Sequence, residues 1–268
     1  MSGDTLTVRA GAEIAGIQTL RGPTRPLRAC RSAGRLLAVA LLVGGTNALA
    51  RILPHLARAP ERLARAIYAR LAAWLLRLLG VRVELEGRAP EELSVIVANH
   101  RSYVDVPLVM STMPSVFLAK AEIAGWPLFG TAARLARTVF VDRDDPGSRQ
   151  RAFAALGDAL DRGQRIVVFP EGTTSTGPGC LPFRVGAFRL AAVRDLPIVP
   201  VAIAYHDVGA AWVDDSSFVA HFLECFRARR LRVSVAIGDE IRGRDAAALR
   251  QRAEQWIRGR LAAVDRAS

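Results

Sequence analysis

Residues 99–105 read Asn99-His100-Arg101-Ser102-Tyr103-Val104-Asp105 and follow the β-branched run Ser94–Ala98. A histidine near its neutral pKa can take a proton from an alcohol. It needs a partner to fix its tautomer and stabilise the imidazolium that forms. Asp105 is a candidate partner. On a regular helix, five residues turn through about 500° and would leave the two side chains about 140° apart. If they meet, the chain between them turns irregularly and the helix starts later. Alone, this spacing is a weak signal, because an aspartate here also suits a helix cap.

Two further clusters carry polar chemistry. Arg137–Arg143 is a strand pattern ending in Asp142-Arg143. It is either a surface ion pair of small worth or a guanidinium fork placed to hold a phosphate with two bonds. Phe169-Pro170-Glu171-Gly172-Thr173-Thr174-Ser175 follows the run Ile166–Phe169. Proline stops a strand, glycine lets backbone approach a ligand, and the hydroxyl residues form either a polar turn or a ligand cluster. Lys120 is the only lysine among 37 basic residues, and a compact ammonium is not equivalent to a guanidinium.

These clusters need a scaffold that brings strand ends together. Short apolar runs occur at Ser94–Ala98, Val116–Ala119, Thr138–Val141, Ile166–Phe169, Ile198–Ala204 and Leu231–Ile237. Helical patterns cover Gly147–Arg162, Arg184–Arg194 and Asp245–Val264. Continuous apolar strands alternating with helices predict an α/β fold, a mainly parallel sheet covered by helices on both sides. Sites in such sheets form at the carboxyl ends of strands, where all three clusters lie.

The N-terminal third differs in character. Residues 1–80 carry twelve arginines against three acids, most of the chain's net charge of +12. Residues 1–32 have no sustained period and read as a disordered or weakly ordered leader, residues 33–80 as membrane-associated helices and residues 81–268 as the catalytic domain. The apolar stretch Leu36–Ala50 falls short of the ~20 residues of a full span, so a single tilted span and a half-inserted helix both fit. From Pro60 to Leu79, the residues Leu63, Ile67, Leu71, Trp74, Leu75 and Leu78 recur at three- and four-residue steps. Arg58, Arg62, Arg65, Arg70 and Arg77 gather beside them. That is the build of an interfacial helix on anionic lipid, or of an ordinary helix packed on its own domain. A nucleic-acid partner is disfavoured, because aromatics make up only 6% and the charge sits beside the greasiest segment. Cys30, Cys180 and Cys225, an odd count without a CxxC pair, argue against a disulfide framework or zinc site. A reducing, cytoplasm-facing location follows.

Taken in order, these pieces resemble the glycerolipid acyltransferase family (PlsC-like). Its Asn-His-x4-Asp block is similar to Asn99–Asp105, and its aromatic-aliphatic strand ending in Arg to Phe140–Arg143. Its Phe-Pro-Glu-Gly-Thr block is similar to Phe169–Thr173, and its proline-centred apolar strand to Ile198-Val199-Pro200-Val201. Phe117–Lys120, Pro127–Gly130 and Phe183-Arg184-Val185-Gly186 agree more loosely. The resemblance spans roughly residues 60 to 240. It implies that His100 acts as general base on the acceptor hydroxyl and that Asp105 orients it. Asn99, Lys120, Arg143, Glu171, Gly172, Thr173 and Thr174 would contact the substrate. The acyl donor would be acyl-CoA or acyl carrier protein, with no metal, no cofactor and no acyl-enzyme. It also implies a two-helix clamp in one leaflet, on the cytoplasmic face of the inner membrane, monotopic or single-pass.

One position departs from the pattern. After Glu-Gly-Thr, members acting on lysophosphatidate often carry Arg; here it is Thr174. The expected reaction is acylation of 1-acylglycerol-3-phosphate to phosphatidic acid, favoured by Arg143. Acylation of lyso-ornithine lipid or another lysolipid is the alternative, and a catalytically dead membrane-binding scaffold is the alternative from another class.

Overall fold

The computed structural model describes residues 25–52, 60–213 and 217–267. Along the chain run α1 (Arg25–Ile52), α2 (Pro60–Leu79), β1 (Val81–Glu86), β2 (Val95–Ala98), α3 (Asp105–Thr112), β3 (Val116–Lys120), α4 (Phe129–Leu135) and β4 (Val139–Val141). Then follow α5 (Pro146–Asp161), β5 (Ile166–Val168), α6 (Gly186–Arg194), β6 (Ile198–Tyr205), α7 (Phe218–Cys225), β7 (Leu231–Ile237) and α8 (Ala246–Ala267). The strands form one sheet in the order β1-β7-β6-β2-β5-β3-β4. β6, β2, β5, β3 and β4 run parallel; β7 pairs antiparallel with β6, and β1 parallel with β7.

The sheet is covered on both faces, as the unbroken apolar strands require. β2 shows why: Val95, Ile96, Val97 and Ala98 are all wholly buried. Ile96 and Ala98 join a core with residues of α2, α3 and α7, while Val95 and Val97 join one with α5, α6 and α8. Local signals set the helix ends. Asp145 caps α5, its carboxylate accepting from Gly147 N at 2.8 Å with Pro146 in the first turn.

The N-terminal helices differ from expectation in two ways. First, α1 takes in residues 25–32, which composition placed in the leader, and continues through Gly44-Gly45 and Thr46-Asn47. Asn47 does not interrupt it, because the side chain turns inward. Its amide donates to Leu128 O at 3.0 Å and its carbonyl accepts from Tyr68 at 3.0 Å, binding α1, α2 and the start of α4. α1 is long and apolar enough to cross a membrane by length and composition, yet one face packs on the domain. Leu37, Leu41, Leu49 and Ile52 point outward. Second, α2 turns Tyr68, Leu71, Ala72, Leu76 and Leu79 into the core. Trp74 stays exposed, with the Arg77 guanidinium 5.6 Å from its ring centre. Of the stripe expected to face lipid, Leu71 is buried, Ile67, Leu75 and Leu78 are partly buried against the core and Trp74 is exposed, so the buried face is rotated from the expected one. Residues 1–24 of the leader and Arg58 lie outside the described residues.

Arg35 fastens α1 to the sheet's far side. Its guanidinium donates to the carbonyls of Phe226 (2.9 Å), Ala228 (2.7 Å) and Arg229 (3.0 Å), placing positive charge at the C-terminus of α7. Gly80, at φ +75°, joins α2 to β1 beneath this clasp. A Cβ there would come within 2.6 Å of Arg229 O, so the close approach requires glycine.

Candidate active site

Because β2, β5 and β4 run parallel, the loops that follow them meet at one edge of the sheet. Residues 99–103 leave β2 outside any helix, Val104 already has helical backbone angles, and α3 begins at Asp105. This irregular turn is what lets the histidine meet the aspartate. His100 Nδ1 lies 2.7 Å from Asp105 Oδ2. Facing a carboxylate, Nδ1 carries the hydrogen, leaving Nε2 with a lone pair for an incoming hydroxyl. The His100 side chain is 21% exposed and that of Asp105 wholly buried. One end of the pair is thus open to substrate and the other sealed.

A buried carboxylate must be well hydrogen-bonded to stay ionised. Asp105 Oδ2 also accepts from Arg101 N at 2.6 Å and Ser102 N at 2.9 Å. Oδ1 accepts from the Tyr205 hydroxyl at 2.7 Å. One flat side of the imidazole is covered by Phe169, whose ring lies 4.1 Å away at an interplanar angle of 15°.

The loop after β5 braces this arrangement. Glu171 Oε1 accepts from His100 N at 2.7 Å, and Oε2 accepts from Leu181 N at 2.7 Å and Ser175 Oγ at 3.2 Å. Burial pushes the Glu171 carboxyl above its ordinary range, outweighing these donors. Ser175 N donates to His100 O at 3.1 Å. The buried Arg101 guanidinium spans the same loop, donating to Ser175 O at 2.9 Å, Ser175 Oγ at 3.0 Å and Gly179 O.

Glu171, expected among the headgroup contacts, therefore spends both oxygens holding the loops. Asn99 is similar. It is wholly buried, its amide donating to Ile203 O at 2.9 Å and its carbonyl accepting from Ile203 N at 2.8 Å. It extends the β2–β6 pairing past the strand and leaves no polar atom for substrate. Lys120 is half exposed and paired with Glu122 at 3.0 Å. Thr173 is exposed and Thr174 partly buried at the turn.

Gly172 adopts φ +81°, and a Cβ there would meet the Arg184 Nε at 2.9 Å. Arg184 thus lies across the glycine's backbone. It also lies near Arg143, whose guanidinium is held below its usual range, first by burial and next by the Arg184 charge. Arg184 over Gly172, with Arg143 within reach of its charge, gives this end of the site a positive field suited to an anion.

Sequence reasoning did not single out Arg184 or Tyr205 as site residues. Tyr205 had a signal: it is the one polar side chain closing the apolar strand IVPVAIAY. Arg184 sits inside the block Phe183–Gly186, but only the fold lays it over Gly172. Chemically, the arrangement offers an oriented base and a buried counter-ion on a positively charged side of the sheet edge, suited to activating an alcohol.

Comparisons with known proteins agree with this geometry. The family model described as Acyltransferase matches residues 80–204. The chain is 34% identical over 244 residues to the lyso-ornithine lipid O-acyltransferase of Pseudomonas aeruginosa, covering 87% of this chain and 91% of that protein. It is 35% identical over 150 residues to the 1-acyl-sn-glycerol-3-phosphate acyltransferase of Neisseria meningitidis, covering 55% and 58%. The crystal structure of the 1-acyl-sn-glycerophosphate acyltransferase PlsC from Thermotoga maritima superposes with a TM-score of 0.69 at 19% identity, covering 90% of this chain and 95% of that one. That last likeness speaks for the fold; with the near full-length relative and the family match, the chain belongs to the PlsC-type acyltransferase family.

Proposed function

We propose that the protein transfers a fatty acyl group from a thioester, acyl-CoA or acyl carrier protein, to the free hydroxyl of a lyso-ornithine lipid at a membrane surface. The observation that carries this reading is the His100–Asp105 pair, with Arg184 laid across Gly172 of the neighbouring loop and Thr174, not Arg, after Glu-Gly-Thr. A phosphate monoester carries close to two charges and rewards every added guanidinium. An ornithine headgroup carries one carboxylate and one ammonium. Arg143 and Arg184 suit the carboxylate, and Asp144, whose charge acts on Arg143, suits the ammonium. Arg143 alone favours lysophosphatidate. The Thr174 departure and the relative matched over 87% of the chain favour lyso-ornithine lipid.

The chemistry follows from the site. His100 Nε2 takes the acceptor's proton as its oxygen attacks the thioester carbonyl, forming the new C–O bond. Asp105 stabilises the imidazolium. The tetrahedral intermediate collapses, the C–S bond breaks, and the thiol leaves with the proton held on His100. No enzyme thiol is needed. Burial pushes Cys180 up to about 11 and Cys225 up to about 12, so neither is a thiolate nucleophile near neutrality. The outward leucines of α1 and the exposed Trp74 support seating on one leaflet at the cytoplasmic face, where thioester donors are made.

The test is an acceptor panel with purified protein in mixed micelles and radiolabelled palmitoyl-CoA. Lyso-ornithine lipid should be acylated with kcat/KM at least about tenfold above lysophosphatidate, a difference of about 1.4 kcal/mol. The reverse preference would overturn the acceptor assignment. His100→Ala should abolish transfer to either acceptor, a loss of about 10²- to 10⁴-fold.

A further inference from the structure

We propose that Tyr205 is a positioning residue of the catalytic pair: its hydroxyl holds the Asp105 carboxylate in one orientation and sets how strongly that carboxylate polarises His100. This rests on His100 being the base, as argued above.

The geometry is asymmetric. Three donors converge on Asp105 Oδ2: His100 Nδ1, Arg101 N and Ser102 N. All three come from the turn that carries the histidine itself. On Oδ1 the tyrosine hydroxyl donates at 2.7 Å, and it comes from β6, on the far side of β2's loop. Asp105 is therefore gripped from two directions, and among the described residues that donate to it Tyr205 is the one that belongs to a strand of the sheet. The tyrosine is itself held. The Ser102 hydroxyl is hydrogen-bonded to it, and Cys225 of α7 lies near. Burial, followed by the charge of Asp105, keeps the phenol protonated far above neutrality. It is thus a permanent donor.

Such a bond has a definite effect. It spreads the carboxylate's charge over two held oxygens, so less of it bears on Nδ1. Removing it leaves Oδ1 as a buried, unpaired anion. The carboxylate charge then bears more fully on Nδ1 and stabilises the imidazolium, so the acid limb of the pH–rate profile moves to higher pH. The other groups facing the pair are Glu171, bonded to His100 N, and Arg101, whose backbone binds Asp105. With the Cys225 thiol on α7 and the Arg143–Arg184 cations beyond Gly172, they are unchanged in the variants below.

The experiment compares Tyr205→Phe with site-specific incorporation of 3-fluorotyrosine at 205, a stronger donor of the same shape. With palmitoyl-CoA and whichever lysolipid the wild type acylates, the acid limb of kcat/KM should rise by roughly half to one pH unit in Tyr205→Phe. It should fall for fluorotyrosine. KM for the acceptor should stay within about twofold in both, because the changed hydroxyl is turned to Asp105 and Ser102 behind the histidine. A titration of carbon-13-labelled His100 in the same two proteins, with no substrate present, should show opposite displacements. If a poorly folded Tyr205→Phe obscures the kinetics, the fluorotyrosine protein alone decides. An unmoved acid limb and an unmoved His100 titration, or displacements of one sign in both proteins, overturn the proposal. Wild-type protein that turns over no lysolipid but shows the opposite His100 displacements would refute the acceptor reading and leave this one standing.

Discussion

The backbone amide of His100 donates to Glu171 Oε1 at 2.7 Å, while the His100 carbonyl accepts from Ser175 N at 3.1 Å. The base is therefore held by its main chain to the loop after β5, and its side chain is held separately to Asp105. Two sequence blocks some seventy residues apart act as one rigid unit.

Glu171→Gln tests that unit. Glutamine keeps one acceptor but turns an amide NH₂ toward Leu181 N–H, which now donates to the carboxylate. A lost bond of this kind to a buried charge costs about 1–3 kcal/mol, and displacing the base by even a fraction of an ångström should lower kcat about 10- to 100-fold. The pH dependence has a definite sign. Burial raises the Glu171 carboxyl above 4.5, so its favourable contribution is complete below that value and is lost as pH rises through the folded-state value. The wild type's Tm advantage over Glu171→Gln, followed by calorimetry, should therefore grow as pH is lowered from neutrality toward 4.5. A difference independent of pH would show that the carboxyl titrates as it does in the unfolded chain.

Asn99→Leu should be a stability variant first. The leucine would strand both the N–H and the C=O of Ile203 in a dry core, at about 1–3 kcal/mol for each group left unpaired. Urea denaturation should show the loss, with activity per folded molecule changing much less. Unchanged stability with abolished turnover would return Asn99 to the substrate.

The arginine pair predicts a split between acceptors. Arg143→Ala and Arg184→Ala should each raise KM for an anionic lysolipid about 10- to 100-fold, since a charge-assisted bond is worth about 1.5–3 kcal/mol. An acceptor without an anionic group should be little affected. Equal effects on both would mean that the guanidiniums support the Gly172 turn rather than bind a headgroup.

On α1, Leu37 and Leu41 are 62% and 68% exposed while Val39 and Val43 are buried. Leu37→Asp with Leu41→Asp should leave the fold intact and weaken binding to anionic vesicles in a flotation assay by at least about tenfold. Each buried leucine is worth about 1.5–3 kcal/mol to such binding. Unchanged flotation would place the membrane contact elsewhere.

Much of this was legible in residue order. Six strand runs and the alternation with helices announced a two-sided parallel sheet, because strands covered on both faces leave no polar alternation. The His100–Asp105 pairing was legible only as a condition, that the turn be irregular, and residues 99–103 meet it. Less legible were functions created by approach from a distance. Tyr205 reaches Asp105 across 100 positions, and Arg184 covers Gly172 because the chain doubles back after Glu171. Asn99 misled for a related reason. An amide beside a histidine looks like a substrate contact until the register puts Ile203 opposite it. α2 was legible in part: its periodicity marks an apolar helix but not the exact face, and the core took the neighbouring side chains Tyr68, Ala72 and Leu76. β1 carried a signal of another kind: Val81-Arg82-Val83-Glu84-Leu85-Glu86 alternates apolar and charged residues, the mark of an edge strand, and a search for continuous apolar runs passes over it.

The Phe169 ring that lies flat against His100 has a consequence for how the base keeps its aim. With that side of the heterocycle closed by hydrocarbon, the imidazole cannot tip out of its plane towards β5, and its Nε2 edge points the same way from one turnover to the next. Steadiness of the proton acceptor thus falls in part to a side chain that exchanges no proton and carries no charge.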